Sequence, residues 1–581
     1  MTNEQASRQF TAAQPRAGDA IGRTTKHATY VVVGAGSAGC VLANRLSEDT
    51  DSTVVVLEAG GWDRHPWIHI PIGFGRMHQY RMHDWMYHSE PEPTMDGRRI
   101  EVARGKVIGG SSSINAMGHV RGHAGDYDRW AASGLSTWSY AHVLPYFRRQ
   151  ETWEGGADAY RGGDGPLRTR MARYADPLVK AWIAAGLSAG YPFTNDYNGA
   201  HQEGFAILQS NIHRGKRFSA ASAWLKPALA RPNLRVETRA LVTRIVFEGR
   251  RAVGVEYLQH GKLQVVRADR EVILAGGTIN SPQMLMLSGI GDPDELSAHG
   301  IKPRIALPGV GKNLQDHIAV SVVYVRKTQG PSVGIMRLDR IFGELAKAYI
   351  TGTGFATELP SGWLAFLKSA PEAALPDIQL LFRALSPAAG PYLPPFKLAF
   401  RDGFACRSVL LRPESRGSLA LASADPCTPL RIRLNALATD HDRAMLRTGV
   451  RLVQSLGRQP QLAPFVDFQS APRSSVQSDD ELDAYIRATA VTAHHPLGTC
   501  RMGIESDNMA VVDEALRVHG VEGLRVVDAS VMPDMVGGNI NSPVYMIAEK
   551  GADLIRGRAA LPPAIGEKRA EPVDYKHVHN A

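Results

Sequence analysis

The sequence predicts an α/β protein. It has a dinucleotide-binding unit whose pieces are separated along the chain, and an inserted second domain with its own sheet. Three observations predict it. A β-branched run, Ala28–Val33, enters a glycine loop, then a stretch with apolar residues at helical spacing, then a second strand-like run ending in an acid. Strand-like runs recur far downstream, at Glu271–Ala275 leading into Gly276-Gly277 and at Leu524–Ala529 leading into Ser530. Between these, residues 318–482 carry further strand-like runs separated by turn-rich links.

Residues 1–27 come first and are polar, with Glu4 and Asp19 and no apolar core of signal-peptide length. They read as a disordered arm. The glycine loop follows, Gly34-Ala35-Gly36-Ser37-Ala38-Gly39. Gly34 suits the tight turn, Gly36 lets a pyrophosphate approach the backbone, and Gly39 lets the helix pack close to the sheet. The helix N-terminus offers free N–H groups, at Ser37 and Ala38 among others, and a positive dipole end for phosphates. The run Ser52–Glu58 is the second strand, followed by Ala59. Glu58 lies 19 residues beyond Gly39, where an acid accepts hydrogen bonds from ribose hydroxyls. The same acid would repel a 2′-phosphate, so NADP is disfavoured and NAD and FAD both stay open.

The aromatic-rich stretch 62–96 suggests a loop over the cofactor or the substrate entrance. Arg407–Leu411 and Ser418–Leu421 read as strands of the inserted domain, and Asp440–Leu456 as a helix. The aromatics Trp363, Phe366, Phe382, Tyr392 and Phe396 are candidates to line a substrate cavity. The segment from about Pro562 to Ala581 is Pro-rich and charged and reads as a loose tail.

Composition excludes several classes. With 44% hydrophobic and 21% charged residues in 581, the chain is neither disordered throughout nor fibrous. A net charge of +9, without long Lys/Arg runs, gives no argument for nucleic acid. No apolar run reaches the ~18 residues of a membrane-spanning helix. The four cysteines, at 40, 406, 427 and 500, have no metal or redox spacing, and make a reducing, cytoplasmic location the expectation.

Five further stretches belong together: Arg104–Asn115, Gly277–Gly291, Leu307–His317, His494–Gly503, and Val527–Pro533 continuing to Gly538–Pro543. This set, in this order, resembles the glucose–methanol–choline (GMC) family of FAD-dependent oxidoreductases over about residues 28–560. The resemblance implies FAD rather than NAD. It implies a Rossmann-like FAD-binding domain formed by 28–135, 228–317 and 483–560. A substrate domain on an antiparallel sheet would take 136–227 and 318–482, leaving 561–581 as the tail.

It also implies a set of cofactor-binding residues. Gly109, Gly110 and Ser111, after Val107, would let backbone pass over the flavin and its diphosphate. Asn115, with Ala116 and Met117, would hydrogen-bond flavin or phosphate, and Trp85 resembles a segment near the flavin. Val242 would offer backbone bonds to the adenine. Asp528 and Ala529 match the stretch that holds the ribityl chain and pyrophosphate. Since an Asp repels a diphosphate, Asp528 is expected to bind a hydroxyl or a water. Asn539, Ile540 and Pro543 match the segment that reaches the isoalloxazine, with a helix starting near Ser542-Pro543 and presenting its positive end to the flavin.

His495 matches the family's active-site histidine, and Asn541 the second member of its catalytic pair. A neutral imidazole can take the hydroxyl proton of an alcohol, while the hydride goes to flavin N5. Asn541 would orient the hydroxyl oxygen. The adjacent His494 either shapes the pocket or binds a polar substrate group. Relatives that hold FAD covalently carry a histidine just before the position of Asn115. Here that residue is Ile114, so non-covalent FAD is expected.

The reading is oxidation of a primary alcohol to an aldehyde, with a quinone-type acceptor or O2 as oxidant. Furanic, aryl and pyridoxine-like alcohols are candidates, and choline a possible one. The alternatives are an oxidase producing H2O2, a non-redox hydroxynitrile lyase on the same fold, and a redox-silent FAD-binding protein. No metal is expected.

Overall fold

The computed structural model describes residues 26–564. Most of the expected arm and tail therefore lies outside the described residues. The arm's last two residues, Lys26 and His27, already belong to the first strand. Leu561 and Ala564, at the start of the tail, donate backbone N–H bonds to the Tyr146 hydroxyl (3.2 Å) and the Ala141 carbonyl (2.8 Å). That beginning is docked on the helix Tyr140–Arg149.

One seven-stranded sheet has a parallel centre. Lys26–Val33 lies between Val54–Glu58 and Lys262–Leu274, and Leu234–Thr238 extends the sheet beyond Val54–Glu58. The strand Lys262–Leu274 is long enough to do two things. Its first half pairs antiparallel with Arg251–Gln259, which in turn pairs with Ala240–Glu248. Its last residues pair in parallel with Leu524–Val526. The fully buried Val54–Glu58 shows why the central strands read as unbroken apolar runs: both sheet faces are covered. The helix Ser37–Leu46 covers one face, and the helix Asn541–Arg556 packs on it. Arg45 and Arg149 both pair with the buried Glu549 at 2.9 Å, and Trp224 Nε1 donates to the same carboxylate, so this junction is locked by charge as well as packing.

The second large sheet is antiparallel. In spatial order it runs Val466–Ala471, Ile318–Arg326, Gly403–Leu410, Ile378–Arg383, Trp363–Leu367 and Gly204–Ile207. A short strand from further along, Val491–Thr492, joins its Ile318 end. That contact carries the chain directly from this sheet to His494 and His495. The strand Ser418–Ala420 pairs instead with Arg431–Arg433 in a separate ribbon. Trp363 and Phe382 stack in the core with Trp182 and Phe404. Phe366 is buried beside Tyr197, Tyr392 packs in a small separate cluster, and Phe396 is exposed. None of the five aromatics proposed as cavity lining faces the cavity described below. On a sheet, residue parity alone decides which face a side chain takes.

Candidate active site

A cavity of about 340 Å³ lies between the two sheets, and both helix N-termini open into it. At one end are Gly36, Ser37 and Ala38, with Glu58 and Ala59. The helix Ser37–Leu46 has no side-chain cap, so its first N–H groups are directed at the cavity without a partner from a capping side chain. Gly39 stands behind the wall rather than on it. A Cβ there would sit 1.8 Å from the Gly34 carbonyl oxygen, so only glycine lets the helix close on the turn. Gly110 touches Gly36 in the same way, since its Cβ would be 2.7 Å from the Gly36 Cα. The two glycine loops are thus pressed together into one backbone cradle.

Glu58 accepts from the N–H groups of Ala35 (2.9 Å) and Gly60 (2.8 Å). Burial nevertheless pushes its carboxyl up to about 7. Each oxygen keeps a lone pair for a further donor, which suits vicinal hydroxyls. Val242 lies on the wall beside Ala240 and Leu241. Ser111, Asn115, Ala116, Met117 and Trp85 also line the cavity. An uncapped helix end, a glycine cradle and a half-satisfied buried carboxylate are the donor and acceptor set that an adenosine diphosphate moiety such as that of FAD requires.

Other expected residues support the cavity without lining it. Val107 is buried, and its carbonyl accepts the Gly110 N–H (2.7 Å). Gly109 donates to the Ala35 carbonyl (2.8 Å). Pro543 is buried in the first turn of the helix, which begins at Asn541. Asp528 lines the cavity but is not available to a hydroxyl or water. One oxygen accepts from Gly277 N–H (2.8 Å) and Ser281 Oγ (2.6 Å), the other from Ser530 N–H (2.8 Å) and Oγ (2.6 Å). It clamps two loops together. Asn115 Oδ1 is likewise taken, by Arg217 and the Met117 N–H. Arg217 braces the glycine loop from behind through the Ser112 and Asn115 carbonyls, a role no motif announced.

At the other end stand His494, His495, Asn539, Ile540 and Asn541. Asp316 accepts the His495 backbone N–H (2.9 Å) and the Thr492 hydroxyl, holding the turn after Val491–Thr492. His495 Nδ1 is 3.0 Å from His317 Nδ1, and His317 Nε2 is 3.2 Å from the Leu411 carbonyl. These partners fix the tautomers. A carbonyl only accepts, so His317 carries its proton on Nε2 and its Nδ1 accepts. His495 must then carry its proton on Nδ1, which leaves the Nε2 lone pair facing the cavity. Burial holds both rings neutral: His317 falls to about 4, and His495 lies well below the ordinary histidine value.

The partner of His495 is Asn539, not Asn541. Asn539 Nδ2 donates to His495 Nε2 (3.1 Å), and its Oδ1 accepts from Gln379 Nε2 (3.3 Å). Asn541 turns the other way: its Oδ1 accepts from Ser37 Oγ (2.7 Å), and its Nδ2 donates to the Tyr545 hydroxyl (2.8 Å). It ties the two helix N-termini together. The loop before Asn539 is pinned at Gly537, whose N–H donates to the buried Asp126 (2.7 Å). The sequence motif contained both asparagines, and only the start of the helix at Asn541 sends their side chains apart.

Family models for GMC oxidoreductases match this chain over residues 28–319 and 413–548. The mitochondrial choline dehydrogenase of Mus musculus is 47% identical over 547 residues, covering 92% of this chain and 90% of that protein. An oxygen-dependent choline dehydrogenase of Sinorhizobium fredii is 43% identical over 539 residues, covering 92% and 96%. Among solved structures, pyridoxine 4-oxidase from Mesorbium loti superposes with a TM-score of 0.82 at 32% identity, covering 92% of this chain and all of that one. No helix among the described residues is long and apolar enough to cross a membrane.

Proposed function

Because the chain belongs to the GMC oxidoreductase family and is an FAD-dependent alcohol oxidoreductase, we propose that it converts a primary alcohol to an aldehyde with His495 as base and Asn539 as the group that holds the hydroxyl oxygen. The observation that carries this reading is the chain Leu411–His317–His495, which leaves an unprotonated Nε2 facing the cavity. An alcohol hydroxyl entering between the two side chains displaces the Asn539 Nδ2–H from that nitrogen and passes its proton to it. Asn539 Nδ2–H, beside it, stabilises the oxygen as its negative charge grows. FAD, when bound, supplies the acceptor for the hydride.

The residues supporting FAD are the N–H groups of Gly36, Ser37 and Ala38 for the diphosphate, Glu58 for a ribose and Val242 for the adenine. Asn539 and Ile540, ahead of the positive end of the helix Asn541–Arg556, support the flavin ring. Ile114 on the wall offers no nucleophile, which supports non-covalent FAD. Acid precipitation should release the yellow colour into the supernatant. The four unpaired cysteines support a reducing compartment, the cytoplasm.

The test is anaerobic titration of the holoprotein with a panel of alcohols, following flavin absorbance. Bleaching by one class supports the redox reading, and admitting air then separates O2 from a quinone-type acceptor. A bound flavin that no alcohol bleaches, together with cyanohydrin cleavage, would overturn it in favour of a lyase.

A further inference from the structure

We propose that the alcohol oxidised here carries an oxyanion, a carboxylate or sulfonate, and that Arg407 receives it with Arg383 alongside. This rests on the alcohol-oxidation reading above and adds the substrate's charge to it.

The strand register sets the geometry. Gln379, Leu381 and Arg383 alternate onto one face of the strand Ile378–Arg383. Arg407 lies directly opposite Leu381 on the neighbouring strand, and both line the cavity. Arg383 is therefore the diagonal neighbour of Arg407, roughly 7–8 Å away between Cα atoms. Gln379, two residues the other way, donates to Asn539. Arg407 thus stands about 7 Å along the sheet from the level of the catalytic pair, a few bonds' length from a hydroxyl held there.

Arg407 has no hydrogen bond or ion pair among the described residues; the charged group acting on it is Arg383, which repels it. Arg383 is exposed, lies off the cavity wall, and has only a 3.5 Å contact with the Ser386 carbonyl. Burial pushes both guanidinium groups down from their ordinary value. Of the nearby acids, Asp84 and Asp316 are already hydrogen-bonded, and no acid pairs with Arg407 or Arg383 among the described residues. Asp84 pairs with Arg81 at 2.8 Å, Glu101 lies between Arg81 (3.7 Å) and His78 (3.8 Å), and Asp316 holds the turn at His495. Arg104 adds a further positive charge beside His494. Arg407 on the cavity wall, with no carboxylate partner and with Arg383 next along the same sheet face, leaves a planar fork for a bidentate oxyanion.

The same arrangement disfavours a quaternary ammonium. The acids on the cavity wall are Glu58, at the far end, and Asp84 and Asp528, whose oxygens are engaged. The Trp85 ring, the natural cation–π surface, already has the Lys106 ammonium over it at 4.3 Å. His78, Glu101 and His494 bring ligand-type atoms within 4.8 Å of one another, but Arg81, Arg104 and Arg407 surround them with a field that opposes a metal cation.

The experiment compares half-reduction concentrations of the holoenzyme flavin under anaerobic conditions. The probes are ω-hydroxycarboxylates of three to six carbons, isethionate, alkan-1-ols of matched length, and choline. The best anionic alcohol is expected to act at a concentration about 100-fold below that of its neutral match, with choline weakest. Isethionate against 3-hydroxypropionate tells sulfonate from carboxylate. In Arg407→Gln the anionic preference should collapse toward one, and Arg407→Lys, which keeps charge without the fork, should retain part of it. Reduction by choline or a neutral alcohol at lower concentration than by any anion would overturn the inference and leave alcohol oxidation standing. No reduction by any alcohol would overturn both.

Discussion

Asn539→Ala and Asn541→Ala distinguish catalysis from cofactor anchoring at two positions only two residues apart. Asn539 Nδ2 lies 3.1 Å from His495 Nε2, where an alcohol oxygen would be held. As that oxygen loses its proton, the N–H bond to it becomes charge-assisted, worth about 1.5–3 kcal/mol. Asn539→Ala should therefore slow flavin reduction at saturating alcohol by about 10- to 150-fold. It also leaves Gln379 Nε2 without its acceptor, beside a Gln379 Oε1 that is already buried and unpartnered. A stability loss of about 1–3 kcal/mol is expected as well. Asn541→Ala removes the bond to Ser37, which joins the two helix ends at the diphosphate cradle, and the bond to Tyr545 within its own helix. Its expected effect is on the FAD dissociation constant, about tenfold for one to two neutral bonds, with the reduction rate of the FAD-saturated variant within a few-fold of wild type. Anaerobic stopped-flow reduction and fluorescence titration of the apoprotein with FAD read the two quantities separately. If Asn541→Ala abolishes reduction while Asn539→Ala leaves it intact, the reasoning from side-chain direction is wrong.

Other consequences follow from the same geometry. His495→Ala should keep FAD but lose about 10²–10⁴ of the flavin reduction rate, as expected for a general base. Since both His495 and His317 are held below the ordinary histidine range, reduction should not depend on histidine titration at or above pH 6.5; an acid limb at 6.5 or higher that vanishes in His317→Gln would contradict the tautomer chain. Glu58 rises from 4.5 to about 7 in the folded apoprotein, so its ionisation lowers apoprotein stability as pH rises from about 4.5 through 7, by up to about 3 kcal/mol. Ribose donors favour the carboxylate, so FAD should bind more tightly as pH rises toward 7. Glu58→Gln should flatten both profiles, measured by thermal melts and by FAD titration. Glu151, buried between Arg121 (2.5 Å), Arg161 (2.6 Å) and His119 (3.0 Å), loses a charge partner in Arg161→Ala. Chemical denaturation should show a loss of about 3–5 kcal/mol, and an unchanged midpoint would mean the cluster has no structural weight.

The sequence by itself determined the dinucleotide-binding unit, because that unit is local: strand, glycine loop, helix and acid follow one another within 31 residues, Ala28 to Glu58, and each glycine answers a short-range steric demand. The family motifs likewise marked the histidine at 495. What they did not carry was direction. Asn539 and Asn541 are alike as letters, and the onset of a helix at Asn541 is what points one at His495 and the other at Ser37. His317 stands 178 residues from His495, and its hydrogen bond sets which nitrogen of that ring is free. Asp528 reads as a ligand-facing acid until four protein donors are seen to occupy it. Arg407 reads as one arginine in a strand. Only the pairing with Leu381, which assigns it to the cavity face with no counter-ion, turns it into a statement about the substrate. Side-chain facing and charge pairing depend on which strands meet and in what register, and the tertiary structure alone decides that.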